Sequence, residues 1–423
     1  MLLTVTLIVF FGLMFLSVPM AFSVGLSCMV YILFSDISSI VFSQQMFVTL
    51  NSFSLLAVPL FILAGDLMNT GGLTKRILNL SKAFVGHFRG SLAQVCVVAC
   101  GMFGAMSGSA VAACSCMGST LIPAMKEEGY DDGYACAVTA ASGLLGPMIP
   151  PSIAAVIYGT VTGVSIPQLL VACLAPAICM IVGFAVINFI TSKKRGYPKH
   201  EKLSFKERWK AFVYAFPALM APLIIIGGIF SGIFTATEAG AVASVYALLF
   251  GLITKELKLK DLKHAMSMTA TVTATVLLIN SVAGAFSWIL TRENIPLTLT
   301  KAMLNLCDTK FVFLLIVVVF LVILGCFLSD TAITPMCAPL LHPIALQFGI
   351  DGIAFGCLWM VLICIGALTP PVGTMLFVSS KVGETPFNRV VRNIWPFIIV
   401  MLLTALVICV FPQFPMFFAQ HVG

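Results

Sequence analysis

The chain has 423 residues, of which 60% are hydrophobic and 9% are charged. No water-soluble domain of this size keeps its surface wet with so few charges, and apolar stretches of roughly 17–25 residues recur from end to end, each long enough to cross about 30 Å of hydrocarbon. The composition therefore defines a polytopic α-helical membrane protein, and the net charge of +7 is an orientation signal rather than a sign of nucleic-acid binding.

The first stretch, "MLLTVTLIVFFGLMFLSVPMAFSVGLSCMVYILF", lacks the basic start and small-residue cleavage site of a secretory signal and runs on into a second apolar segment. It is expected to be retained and to turn near Pro19. Of the 23 Lys and Arg, 20 fall in five short polar stretches, 69–90, 125–133, 191–212, 254–265 and 381–393. The positive-inside tendency makes that side cytoplasmic. With those stretches inside, spans are predicted at 2–18, 19–35, 48–67, 133–165, 167–190, 213–230, 236–254, 265–290, 352–382 and 393–412. A 36–45 loop and both termini, including "FPQFPMFFAQHVG", then lie outside. The longest soluble loop, "TSKKRGYPKHEKLSFKERWK", is expected to be a partly helical cytoplasmic linker between two halves of the chain.

Two apolar regions, 91–124 and 311–345, do not fit this alternation. Each must enter and leave on one face, so each is predicted to be a re-entrant hairpin of two half-length helices meeting at a tip inside the membrane. The halves also align. Pro123, Gly129, Asp131, Gly146, Pro150, Pro151 and Gly163 fall without a gap on Pro343, Gly349, Asp351, Gly366, Pro370, Pro371 and Gly383. A two-residue gap upstream sets "MSGSAV" (106–111) beside "LSDTAI" (328–333). One copy starts inside and the other outside, which makes an inverted repeat. Interrupted helices in such a pair are the signature of a secondary transporter with a midplane site.

The interruptions, "GPMIPPS" from Gly146 and "GALTPPVG" from Gly366, carry the chemistry. Proline removes a backbone N–H and glycine lets the chain unwind, and irregular backbone at membrane depth survives only where protein or a polar cavity satisfies it. Unwound carbonyls suit a small hard cation such as Na⁺, while half-helix N-termini suit an anionic group. The tips add hydroxyls from Ser107 and Ser109 in the first and Ser329 and Thr331 in the second. Thr369 lies within the second break. Asp330, an intramembrane carboxylate, is a functional candidate by default, whether for a cation or for closing its tip.

Asp66 and Glu238 lie near predicted span ends, where an interfacial residue or a helix cap is the plainer alternative. Arg292 on the outer side could draw an acidic solute or simply mark the interface. The 14 Cys include no CxxC pair and read as small buried thiols. His87, His200, His264, His342 and His421 form no ligand pattern. Neither a nucleophilic triad nor a GxxxxGK[ST] phosphate loop is present. An integral-membrane enzyme would need a catalytic His, Asp or Glu cluster, and none is visible.

"SFSLLAVPLFILAGDLMNTGGLTKRI", "SGSAVA", "GPMIPPS", "FTATEAGAVA" and "GALTPPVG" occur in that order. The chain thereby resembles, over nearly its whole length, the large membrane subunit of tripartite ATP-independent periplasmic (TRAP) transporters. The resemblance implies an all-α elevator-type fold, not an enzyme and without a cofactor, in the bacterial inner membrane. It implies Na⁺-coupled uptake of an organic acid anion, sialic acid or another carboxylate or sugar acid. It further implies a small four-helix membrane subunit, here a separate polypeptide, and a periplasmic binding protein as partners. A stand-alone cation/dicarboxylate symporter is the alternative.

By resemblance, the moving part comprises 91–165 and 311–382. Segments 1–90, 166–310 and 383–423 supply scaffold, connecting arms and linker. Na⁺ is expected at Ser107, Ser109, Gly146, Pro147, Ser329, Thr331, Gly366 and Thr369. Substrate is expected at Ser107, Asp330, Pro150, Pro151, Pro370, Pro371 and Gly373. Many members carry an Asp after "SAVA"; the equivalent here is Ala113, so no acid at that place takes part.

Overall fold

The structure, a computed structural model, describes residues 2–16, 18–307 and 309–420. Among these there are helices and connecting turns, and no strands. By length and composition seven helices among the described residues could cross a bilayer, Lys310–Phe327 included, and the pair Asp132–Met148 and Ile153–Thr162, bent by 45°, counts as an eighth if it forms one span.

Both hairpins are present. The first pairs Ser91–Ser107 with Ala110–Glu127, and the second pairs Lys310–Phe327 with Asp330–Gln347. Their arms run to 17 or 18 residues, longer than the half-length helices expected. The extra turns reach out to the polar residues at their bases, Lys126 and Glu127 in the first hairpin and Lys310 in the second. Both Gly-Pro interruptions break their helices. The first separates Asp132–Gly143 from Ile153–Thr162, with a short 3₁₀ turn at Gly146–Met148, and the second separates Gly352–Leu368 from Thr374–Val382.

The inverted repeat holds, with one change of register. A constant offset of 220 residues carries Ser107 to Phe327, Ala110 to Asp330, Glu127 to Gln347 and Asp132 to Gly352. No gap separates tip from break. Ser109 and Ser329 are thus equivalent, each the N-cap of its returning arm. Asp330 corresponds to Ala110, not to Gly108, and stands in a helical first turn where the helix dipole favours a carboxylate. The shared "S-x-x-A" lettering suggested the gap; the backbone follows the caps instead. The repeat also reaches further upstream than the alignment did. Gly72 and Asn294 both adopt left-handed conformations and open the helices Leu73–Val85 and Ile295–Leu306.

The N-terminal region departs from expectation. Leu2–Phe15 and Met20–Leu33 have 14 residues each, or about 21 Å at 1.5 Å per residue, so each is shorter than a full crossing. The predicted 36–45 loop is largely helical, since Ile40–Leu50 lies against the long helix Leu259–Arg292. There Gly284 lets Thr49 approach to a distance at which no Cβ fits, and the Ser281 hydroxyl donates to the Met46 carbonyl at 3.3 Å. Ser43, Gln44 and Gln45 had masked this helix by interrupting its hydropathy. The linker is partly helical as expected: Leu174–Arg195 runs into it, 196–204 is irregular, and a Ser204–Glu207 capping box starts Phe205–Phe230.

Two packing groups share the core. Leu174–Arg195 and Phe387–Val410 pack on the first hairpin and the broken helices, through contacts such as Phe184 and Tyr134 on Phe397. Ala57–Thr70, Phe205–Phe230, Ala236–Ile253, Leu73–Val85 and the long helix Leu259–Arg292 pack with one another. Between the groups lies the site.

Candidate functional site

Each tip is pressed against its own break, backbone to backbone. A Cβ on Gly104 would come within 2.5 Å of the Gly146 Cα, and one on Gly325 within 2.7 Å of the Gly366 Cα. Gly108, at φ 61°, faces the Pro151 carbonyl so closely that a Cβ would lie 2.3 Å from its oxygen. On the other side the Gly373 N–H donates to the Cys326 carbonyl at 3.3 Å. Only glycine permits this approach. Among the described residues, the carbonyls of Pro150, Pro151, Pro370 and Pro371 accept no hydrogen bond. These are the unwound acceptors that the sequence pattern implied.

In front of the tips lies a cavity of about 790 Å³. Ser107, Ser109, Pro147, Ser329, Asp330 and Thr331 line it. All four half-helix N-termini reach it through Ala110, Ile153, Asp330 and Thr374. Ser109 and Ser152 cap two of them, accepting from the Ala112 and Ala155 N–H groups at 3.3 and 3.2 Å. At the second tip the Ser329 and Thr331 hydroxyls lie 3.1 Å apart, and Asp330 Oδ1 accepts the Thr331 N–H at 2.9 Å.

The other expected residues sit behind this surface. Gly146 and Gly366 are consumed by the glycine contacts, and Pro150 and Pro151 are buried behind Gly108. Thr369 donates its hydroxyl to the Ile365 carbonyl at 2.6 Å. It lies outside the cavity lining, as do Pro370, Pro371 and Gly373. Of the residues expected to touch substrate, Ser107 and Asp330 face the cavity and the prolines do not, because the prolines shape the break rather than its exposed face.

The opposite wall was not assigned to a site from the sequence. Ala57–Thr70 contributes Gly65, Asp66, Asn69 and Thr70, and Leu259–Arg292 contributes His264, Met268, Thr271 and Thr275. Asp66, read as interfacial or a cap, thus faces the cavity. A signal was available: His264, Met268, Thr271 and Thr275 recur at helical spacing on one face. Glu238 is a cap, bonding the Thr235 N–H at 2.8 Å. Arg292 lies over the Trp288 ring at 5.8 Å, away from the cavity. His342 bonds the Tyr158 hydroxyl at 2.9 Å and His200 the Ser91 hydroxyl at 2.9 Å; His421 lies outside the described residues.

No Lys or Arg lines the cavity among the described residues. The lining runs from the tips toward Thr70 and His264, beside basic stretches that the positive-inside tendency assigns to the cytoplasm. The cavity can therefore offer an anion four helix N-termini, each equivalent to about half a positive charge. It can offer a cation hydroxyls and a carboxylate.

An inverted repeat of paired hairpins and broken helices around one cavity, in a chain with membrane-spanning helices, is the architecture of a secondary transporter rather than of an enzyme. The family model for the DctM component of tripartite ATP-independent periplasmic transporters matches residues 7–414. The chain is 39% identical over 405 residues to the sialic acid TRAP transporter large permease protein SiaM of Vibrio cholerae, covering 95% of each chain. It is 34% identical to the C4-dicarboxylate large permease protein DctM of Rhodobacter capsulatus, covering 92% of each, and 36% identical to the 2,3-diketo-L-gulonate large permease protein YiaN of Escherichia coli, covering 85% of each. The YdaH transporter of Alcanivorax borkumensis shares the fold, with a TM-score of 0.68 at 14% identity over 92% of this chain and 91% of that one. The chain belongs to the TRAP transporter large permease family. It is a multi-pass protein of the bacterial inner membrane and part of a tripartite system for secondary transport of organic acids.

Proposed function

We propose that the chain couples Na⁺ entry to uptake of an organic acid anion, sialic acid or a related sugar acid, by an elevator movement. The observation that carries this reading is the doubled tip-and-break arrangement around a cavity with no Lys or Arg among its described lining residues. A carboxylate there has helix N-termini but no fixed cation, so bound Na⁺ supplies the missing charge. Na⁺ in turn gains the lone pairs of the tip hydroxyls and the break carbonyls that accept no hydrogen bond. If more than one Na⁺ accompanies each anion, uptake is electrogenic, and the membrane potential adds about 2.3 kcal/mol per net charge per 100 mV. The resemblance puts Leu174–Arg195 and Phe387–Val410 in the scaffold; their packing on the first hairpin and the broken helices supports instead a moving unit that carries them along, sliding against the remainder.

Substrate is delivered by a periplasmic binding protein, and a small four-helix subunit completes the membrane part. The names of the relatives motivate sialic acid, and their variety keeps the sugar acids and dicarboxylates in the test. Proteoliposomes holding both membrane subunits should accumulate labelled acid only when Na⁺ and the binding protein are present together. Full-rate uptake in choline buffer would refute the cation's part. Full-rate uptake without the binding protein would favour a stand-alone symporter.

A further inference from the structure

The cavity has two chemically different walls. The wall of tips and breaks presents helix N-termini, which favour a carboxylate. The facing wall is built on Ala57–Thr70 and Leu259–Arg292, and its polar groups are Asp66, Asn69, Thr70, whose hydroxyl donates to the Asp66 carbonyl at 2.8 Å, His264, Thr271 and Thr275.

The proton inventory of that second wall is specific. The Thr271 hydroxyl already donates to the Ser267 carbonyl and the Thr275 hydroxyl to the Thr271 carbonyl, each at 2.9 Å. What these two oxygens turn to the cavity is lone pairs. Asp66 presents carboxylate oxygens. The Asn69 Oδ1 is occupied at 3.0 Å by the Thr74 hydroxyl and at 3.0 Å by the Cys116 thiol, which leaves its amide N–H₂ for a ligand. His264, on the Leu259–Arg292 helix, is the one basic side chain among the described lining residues. Acceptors thus dominate, and they are mixed with one amide donor and one imidazole.

We propose that this wall is the specificity surface of the transporter. It selects an acid that carries its carboxylate at one end and hydroxyl groups along the rest, and it rejects small dicarboxylates. A hydroxyl can both donate to Thr271, Thr275 and Asp66 and accept from Asn69. A second carboxylate cannot donate, and it meets Asp66 across the cavity. Rejection arises because a site built to take hydrogen bonds leaves its acceptors unpaired around the wrong ligand. The inference rests on the anion-transport reading above and names the substrate class for that same site.

Binding to the full-length protein in lipid nanodiscs tests it without the binding protein's own selectivity. Calorimetry would compare gluconate, a polyhydroxylated monocarboxylate, with succinate in Na⁺ buffer. Gluconate should bind about tenfold more tightly or better. The double variant T271V/T275V keeps shape and volume but removes the two acceptors, and it should erase most of that ratio while leaving succinate and Na⁺ affinity unchanged. Asp66→Asn should strengthen succinate and leave gluconate within about twofold. Equal Na⁺-dependent binding of both acids by the native protein overturns this inference alone. So does a ratio unaltered in both variants. Absence of any Na⁺-dependent binding of either acid overturns the transport reading, and this inference with it.

Discussion

Gly325 shows how one atom can decide the state of a site. A methyl group there would lie 2.7 Å from the Gly366 Cα, a separation real Cβ atoms do not tolerate, and the obstacle is backbone. Gly325→Ala must therefore lift the second tip from its break, and overpacking of this kind costs about 1–3 kcal/mol. The variant should melt at a lower temperature than the native protein and need more Na⁺ for half-maximal uptake. Gly227, in the last turn of Phe205–Phe230, has no atom within 4 Å of its would-be Cβ. Gly227→Ala should leave melting and Na⁺ dependence unchanged, or raise stability by up to about 1 kcal/mol through helix propensity. Thermal unfolding and Na⁺ titration of the two variants side by side check the contrast. The breaks at Gly146 and Gly366 were legible because Gly-Pro interruptions leave a local mark in the sequence. Gly104 and Gly325 were not. Each lies in the last turn of an unremarkable apolar arm, and its need for glycine arises from a contact 41 or 42 residues away in the chain.

Among the elements, the arm helix Leu73–Val85 is held by an apolar stripe and one arginine. Its apolar stripe of Leu73, Ile77, Leu78 and Leu80 is buried. Arg76 fixes its angle, with its guanidinium 4.6 Å from the Tyr214 ring centroid and 4.8 Å from that of Phe250, and 2.8 Å from Glu256 Oε1. The Arg76 side chain is 11% exposed but that of Glu256 is 36% exposed, so the stacking carries more of the energy than the ion pair. Arg76→Ala should destabilise the protein by about 1–2 kcal/mol. Arg76→Lys should recover little of it, because a lysine keeps the charge but loses the planar stack. Denaturant melts of both variants measure this directly. The hairpins were readable from sequence, because their length and parity fitted no simple crossing. Ile40–Leu50 was not readable, because its polar interruptions are resolved only by packing against Leu259–Arg292. The tip register was misplaced for a similar reason: residue identity favoured aligning SGS with SDT, whereas capping aligned Ser109 with Ser329.

At the scale of the whole molecule, the cavity gives the structure a direction. Its lining passes from the tips along Cys116 and Asn69 to Thr70 and His264, on the side that the basic loops mark as cytoplasmic. The charge-based assignment of sides therefore predicts a site that faces inward. Composition could not convey this, since an inverted repeat encodes both orientations equally and only the packing of one against the other chooses between them. Cys116 makes the direction measurable. It is partly exposed and lines the cavity, whereas Cys114 beside it in the same arm is fully buried. A membrane-impermeant maleimide applied to inside-out vesicles should modify Cys116 and spare Cys114. The same reagent on right-side-out vesicles should modify neither. If the two packing groups slide past each other during transport, Na⁺ with the binding protein and its acid should slow the inside-out reaction, because part of the population turns its tips away from the cytoplasm. Labelling of Cys116 from the outer face alone, at full rate and indifferent to Na⁺, would mean that the cavity is oriented the other way. The charge-based assignment of sides would then fall first, ahead of the hairpins and breaks, which depend on backbone geometry alone.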